Sequence, residues 1–61
     1  MKLHPATLTA PFHGYPPGAK FLVGIDWAAE CCMLFADAEC GPHYVARVPL
    51  PPDTRTLFVL T

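Results

Sequence analysis

The sequence has no serine, few charged residues and no long hydrophobic run. Without serine, no Ser-His-Asp nucleophile can form. Four Lys and Arg against five Asp and Glu give a formal charge of −1, which argues against nucleic-acid binding by phosphate neutralisation. The apolar run Cys31 to Ala36 is too short to span a bilayer. The glycines occur singly, so no phosphate-binding glycine loop is present.

Apolar residues are abundant for so short a chain. Hydrophobic residues make up 52% of the 61 residues and charged residues only 15%, against the usual quarter. A chain of this length buries only about 60% of its unfolded surface. Some apolar surface must therefore stay exposed or be covered by a partner, which predicts an interaction surface. A homodimer is the simplest partner that satisfies the same requirement.

The cysteines and the N-terminal residues bear on location. Three cysteines form a poor disulfide framework, and the opening residues lack the apolar segment of a signal peptide. We therefore expect reduced thiols and a cytoplasmic protein, with no membrane association.

The chain divides into a Pro/Gly-rich arm, residues 1–19, and a small sheet domain, residues 20–61. Prolines and glycines predict an irregular arm, with a short edge strand near Thr7. Strands are predicted at Phe21–Ile25, His43–Val48 and Thr54–Leu60, the last after a stiff proline connection.

Residues 27–39 are ambiguous between a helix and a hairpin. As a helix, the segment would have Asp26 as its N-cap and Gly41 at its end. As a hairpin, the chain would turn at Trp27 and return as a buried strand from Cys31 to Ala36. The fold class expected is a small mainly-β or α+β domain, with an antiparallel sheet of three to four strands. The alternative is β-α-β-β with residues 27–39 helical.

One phrase resembles a known family. It consists of VGIDWAAE (residues 23–30), then LFADA (residues 34–38), Gly41 and VAR (residues 45–47). This is similar to the opening of RNase H-like transposases of the IS110 type. The resemblance covers residues 21–48 and implies a strand ending in a metal-binding Asp, then two more antiparallel strands, which favours the hairpin. Only Asp26 matches a catalytic position. Such enzymes hold two metal ions with several distant carboxylates, which this chain does not contain, so we expect no enzymatic activity and no cofactor.

Cys40 and His43 are candidates for two further chemistries, zinc binding and nucleophilic catalysis. Their spacing fits half of a zinc site, but structural zinc usually has two close pairs, and the adjacent Cys31 and Cys32 would point to opposite sides of a strand. A Cys-His nucleophile needs an orienting group and a pocket, for which the sequence offers no signal. We therefore predict no metal site, with a zinc-stabilised fold as the alternative.

The remaining candidate is a protein-binding surface in an acidic, aromatic stretch. By size and style the chain is also similar to small phage-encoded inhibitors such as anti-CRISPR proteins. We expect a non-enzymatic protein that inhibits a larger, nucleic-acid-handling complex by occupying its surface. Its acidic residues would face the basic groove of that complex and its aromatic residues would anchor the contact, and the protein itself would not bind nucleic acid. The partner would be a larger protein or ribonucleoprotein complex in the cytoplasm, which is the host cell cytosol if the chain is phage-encoded. The predicted contact residues are Asp26, Trp27, Glu30, Phe35, Asp37, Glu39 and Tyr44. The alternative is a dimerising remnant of an RNase H-like domain.

Overall fold

The fold is one antiparallel sheet of five strands. A computed structural model of the chain describes residues 2–50 and 56–61. Its strands are β1 (Leu3–Leu8), β2 (Lys20–Asp26), β3 (Cys31–Ala38), β4 (Gly41–Pro49) and β5 (Phe58–Leu60). Their order across the sheet is β4-β3-β2-β1-β5, and every neighbouring pair is antiparallel. No α-helix occurs among the described residues. The small mainly-β prediction is confirmed.

The predicted strand count and the helical alternative are wrong. The sheet has five strands rather than three to four, and residues 31–38 form a strand that pairs with β2 on one side and β4 on the other. Cross-strand burial of Cys32, Leu34 and Ala36 outweighs the helix propensity of this segment. Asp26 caps a turn instead of a helix, because its Oδ1 accepts a hydrogen bond from the Ala29 N–H at 3.1 Å.

The irregular arm predicted at the N-terminus contains a strand. β1 is not an edge strand but lies between β2 and β5, so the sheet includes residues on both sides of the predicted boundary at residue 19. Pro5 is compatible with this place because its carbonyl accepts a hydrogen bond from the Thr61 N–H at 3.0 Å, at the end of the β1–β5 pairing. Because Pro5 has no N–H, the sheet loses one backbone hydrogen bond, and this bond lies where the β1–β5 pairing ends.

One face of the sheet carries the core. Side chains alternate between faces along each strand, and the core face holds the buried cluster Ala6, Leu8, Phe21, Val23, Cys32, Leu34, Ala36 and Phe58. The cluster draws on β1, β2, β3 and β5. Val45 and Val48 of β4 pack against its margin.

The connection between β1 and β2 covers this core face. Phe12 and Tyr15 exchange backbone hydrogen bonds of 3.0 and 2.8 Å around His13 and Gly14, whose φ angles are +47° and +84°. Positive φ at both central residues makes this a tight type I′ turn. The turn sets both aromatic rings edge-on to Phe21, with centroids 6.4 Å away for Phe12 and 5.0 Å away for Tyr15.

The chain between β4 and β5 joins the two edges of the sheet. Leu50 and Leu57, at its two ends, both pack against the core. A proline connection is predicted at residues 49–53 and a last strand at residues 54–60, and of these the residues 51–55 lie outside the described part of the chain. Where it is described, the last strand begins at Phe58.

Candidate protein-binding face

The second face of the sheet is apolar but carries no covering layer among residues 2–50 and 56–61. We call it the open face, and its apolar members include Leu3, Pro5, Leu22, Met33, Phe35 and Tyr44. The strand registers place them opposite one another or two positions apart. None belongs to the core cluster or packs against it. An antiparallel sheet with one solvated face normally carries polar residues there, so this face has the composition of a surface that becomes buried.

A continuous row of apolar side chains crosses four strands of the open face. Phe35 lies opposite Tyr44 on one side and Leu22 on the other, and Leu22 lies opposite Pro5. Directly opposed side chains on one face contact each other. The row therefore runs across the sheet perpendicular to the strands, with Met33 and Leu3 in the next row.

A β-bulge in β4 places Tyr44 on this face. Leu34 pairs with Ala46, whereas the next residue, Phe35, pairs with Tyr44, so Val45 is an extra residue. The bulge shifts the alternation of β4 by one position. As a result, the Phe35 and Tyr44 rings pack edge-on with centroids 5.5 Å apart, and Tyr44 remains 53% exposed.

Charged residues lie at both ends of the open face. Arg47 is opposite Met33, and Asp26 is opposite Cys31, toward one end of the strands. At the other end Asp37 is opposite Pro42, and Lys20 is opposite Thr7. An apolar centre with a charged rim is the arrangement of protein–protein contact surfaces.

The β2–β3 turn projects Trp27 and Glu30 beyond the sheet. The Glu30 N–H donates to the Trp27 carbonyl at 3.4 Å, and Glu30 adopts a φ of +53°, so the four residues 27–30 form a tight turn. Trp27 is 74% exposed, the largest exposed apolar side chain described. The indole therefore does not pack in the core and is accessible to solvent.

The predicted acidic stretch is divided between the two ends of the sheet. Asp26 and Glu30 lie at the β2–β3 turn, whereas Asp37 and Glu39 lie at the β3–β4 turn. Asp26 is opposite Cys31, and Asp37 lies further along β3. The two carboxylates are therefore separated by about 20 Å along the strand direction. The structure therefore brings Asp26, Phe35, Asp37 and Tyr44 onto the open face, and leaves Trp27, Glu30 and Glu39 in turns.

A shallow depression borders the open face near Arg47. It has a volume of about 460 Å³ and is lined by Ala29, Glu30, Cys31, Arg47, Val48 and Pro49. Its lining combines one carboxylate and one guanidinium with apolar atoms. Such a depression suits a partner side chain better than a substrate, because it is open to solvent on one side.

Cysteine and histidine are dispersed. Cys31 pairs with Pro49 on the open face, whereas Cys32 pairs with Val48 on the core face, so the two thiols point to opposite sides, as the alternation predicts. Cys40 is exposed in the β3–β4 turn. Among the described residues, no group of three or more His, Cys, Asp or Glu side chains is placed to hold a metal ion.

The Cys32 thiol is buried in the core, and its surroundings shift its pKa. Burial in the core raises the pKa of Cys32 above its ordinary value of 9.0, and the neighbouring Cys31 raises it further. A buried thiol with a raised pKa is a poor nucleophile at neutral pH. Cys32 therefore acts as a small apolar core residue.

Sequence reasoning missed Leu3, Pro5, Leu22 and Met33 as site residues. The available signal lay in β2, where Phe21, Leu22 and Val23 are consecutive apolar residues. In an antiparallel sheet, such a run indicates apolar side chains on both faces. The register needed to align these residues across strands depends on β1 and on the bulge in β4, which the sequence pattern does not reveal.

None of the described residues belongs to a helix with the length and apolar character needed to cross a membrane. No protein-family model matches the chain, and no match is found among curated proteins or solved structures.

Proposed function

We propose that the protein is a non-enzymatic binding protein that inhibits a larger complex by covering part of its surface with the open face. The observation that carries this proposal is the row Tyr44–Phe35–Leu22–Pro5, an apolar strip across four strands with no described segment over it. Contact surfaces gain most of their affinity from a few central aromatic and large apolar side chains. Phe35 and Tyr44 are the central anchors, and Trp27 is a peripheral one.

The charged rim bears on the class of partner. Asp26 and Glu30 at one end and Asp37 and Glu39 at the other are separated by about 20 Å, so they would contact a basic surface at two places rather than at one. A complex that handles nucleic acid offers such basic surfaces around its groove. This is the basis for proposing a protein or ribonucleoprotein partner of that class, in the manner of an anti-CRISPR inhibitor.

A pair of variants matched in exposure tests the contact face. Tyr44 on the open face is 53% exposed, and Leu60 on the core-face side of β5 is 52% exposed. Tagged wild type, Tyr44→Asp and Leu60→Asp are used to capture partners from host lysate, with folding checked by circular dichroism. We expect wild type and Leu60→Asp to retain the same stoichiometric partner, and Tyr44→Asp to lose it. Equal capture by all three variants would exclude the open face.

The inhibitory role and the acids are tested on the captured complex. Purified wild type should reduce the activity of that complex on nucleic acid in a stoichiometric manner, whereas Tyr44→Asp should not. The double variant Glu30→Lys/Asp37→Lys should bind more weakly while remaining folded. Unchanged affinity in a folded double variant would remove the electrostatic part of the proposal, because reversing rim charges otherwise slows association.

The alternative function is that of a remnant of an RNase H-like domain. It is supported by the antiparallel succession of β2, β3 and β4 and by Asp26 at the end of β2. In this structure the Asp26 carboxylate holds the turn through the Ala29 N–H. The two functions differ in their partner: a dimerising remnant would be recovered from the lysate with copies of itself only, whereas an inhibitor would be recovered with a larger complex.

A further inference from the structure

The outer side of β4 has a backbone pattern that matches a second copy of itself. β4 is an edge strand of nine residues, and no described residue pairs with its outer side. The other edge, β5, has only three residues. An unpaired edge presents N–H and C=O groups, so the occupant it fits is another extended strand.

Two prolines determine which groups of β4 point outward. Pro42 and Pro49 have no N–H, so their pairing with Asp37 and Cys31 depends on hydrogen bonds from the residues beside them. The Leu50 N–H, for example, donates to the Glu30 carbonyl at 2.9 Å. Backbone groups alternate between the two sides of a strand, so four residues direct their backbone groups away from β3: Pro42, Tyr44, Arg47 and Pro49. Of these, Tyr44 and Arg47 are the ones that carry an N–H.

The bulge makes this pattern self-complementary. In a regular strand, residues three apart face opposite sides of the sheet. The extra residue Val45 instead places Tyr44 and Arg47 on the same face, as their partners Phe35 and Met33 show. Two antiparallel copies of β4 can therefore oppose Tyr44 to Arg47 with both side chains on the open face.

We propose that β4 pairs with β4 of a second copy to form a two-fold symmetric dimer with a continuous sheet of ten strands. Tyr44 of each copy exchanges both backbone hydrogen bonds with Arg47 of the other, and the Arg47 guanidinium reaches the Tyr44 ring.

The proposed register is the one that keeps faces matched along the strand. It opposes Pro42 to Pro49 and Tyr44 to Arg47 on the open face, and His43 to Val48 and Val45 to Ala46 on the core face. A shift of one or two residues in either direction sets at least one open-face side chain against a core-face side chain. The prolines close the pairing at both ends, since neither can donate.

The dimer extends the open face rather than covering it. Because the two-fold axis is perpendicular to the sheet, both open faces lie on the same side, and the apolar rows of the two copies meet at β4. This inference does not depend on the proposed function, because Tyr44→Asp keeps the backbone N–H and adds a carboxylate opposite Arg47. That variant should lose the partner complex and still dimerise.

Sedimentation equilibrium and amide hydrogen exchange on the wild type test the dimer. We expect a mass twice the 6.7 kDa of the monomer at high concentration. The Tyr44 and Arg47 amides should exchange at least about tenfold more slowly in the dimer than after dilution, whereas the inward-pointing His43 and Val48 amides should be protected at both concentrations. A monomer at all concentrations up to about 1 mM would overturn the proposal, and so would a dimer with fast exchange at Tyr44 and Arg47.

A matched pair of substitutions at Arg47 isolates the backbone contribution. Arg47→Pro removes an outward N–H without removing a β3–β4 bond, and Arg47→Ala keeps that N–H. We expect Arg47→Ala to remain dimeric and Arg47→Pro to sediment as a folded monomer. Dimerisation of both variants with equal affinity contradicts the β4 interface; should Arg47→Pro fail to fold, the wild-type exchange experiment decides.

Discussion

Adjacent residues of β3 provide a direct test of the two-face assignment. Leu34 is fully buried on the core face, whereas Phe35 is half-buried on the open face. Leu34→Ala leaves a cavity among the packed core residues and should cost about 2–5 kcal/mol. Phe35→Ala removes the larger side chain, but it loses chiefly the edge-on contact with Tyr44, worth about 0.5–1.5 kcal/mol, and a partial apolar burial.

The structure therefore predicts that the smaller truncation is the more destabilising one. Urea unfolding followed by circular dichroism measures both variants. For a domain of this size an m-value near 1 kcal/mol/M is expected, so Leu34→Ala should lower the midpoint by about 2 M or more and Phe35→Ala by about 1 M. A total stability of about 3–9 kcal/mol leaves Phe35→Ala folded.

The opposite order would refute the assignment. If Phe35→Ala cost as much as Leu34→Ala at low protein concentration, the open face would be covered within the monomer. If the excess cost appeared only at high concentration, the open face would be buried between copies, and the β4 interface would be the wrong one.

Three further results are expected. Gly14→Ala should lower stability by about 1–2 kcal/mol, because Gly14 has a φ of +84° in the turn that covers the core; a thermal melt against wild type measures this, and an unchanged melt would contradict the turn assignment. Thiol titration should label exposed Cys40 at once and buried Cys32 only at the rate of unfolding, and immediate labelling of all thiols would contradict the burial. Burial raises the pKa of Cys32, so as the pH rises the thiol loses its proton in the unfolded chain before it does so in the folded one. The free energy of unfolding should therefore keep its full Cys32 contribution below pH 9.0 and fall above it. This fall should be smaller in Cys32→Ala, and an identical pH profile in that variant would exclude Cys32 as its source.

The sequence pattern was sufficient for the strands whose residues are strong strand formers. The predictions at Phe21–Ile25 and His43–Val48 correspond to β2 and β4, and the resemblance correctly favoured a hairpin at Cys31. β1 was mistaken for an irregular arm because Pro5 normally indicates an edge or a loop. That inference failed because the proline lies where the β1–β5 pairing ends, a property of the tertiary structure.

The binding face was predictable only in part, for a similar reason. Phe35 and Tyr44 are aromatic and were predicted as contact residues, whereas Leu22 and Met33 look like ordinary core residues in the sequence. Which face a strand residue occupies depends on register, and a shift of one residue exchanges the faces. The bulge at Val45 makes such a shift within β4 itself. Alternation counted from Val48 alone would therefore place Tyr44 on the core face.

The open face is uncovered because the described connections between strands pack on the core face. A sheet with two apolar faces requires two covering layers. The β1–β2 connection packs Phe12 and Tyr15 on the core face, and Leu50 and Leu57 from the β4–β5 connection pack there as well. The turns at residues 27–30 and 39–40 are too short to fold back over the sheet. Because pairing through β4 would enlarge the open face and leave it exposed, a dimer would still present this face to the partner that we propose. The two proposals are therefore compatible, and a dimeric protein would present one wide apolar strip to a larger surface.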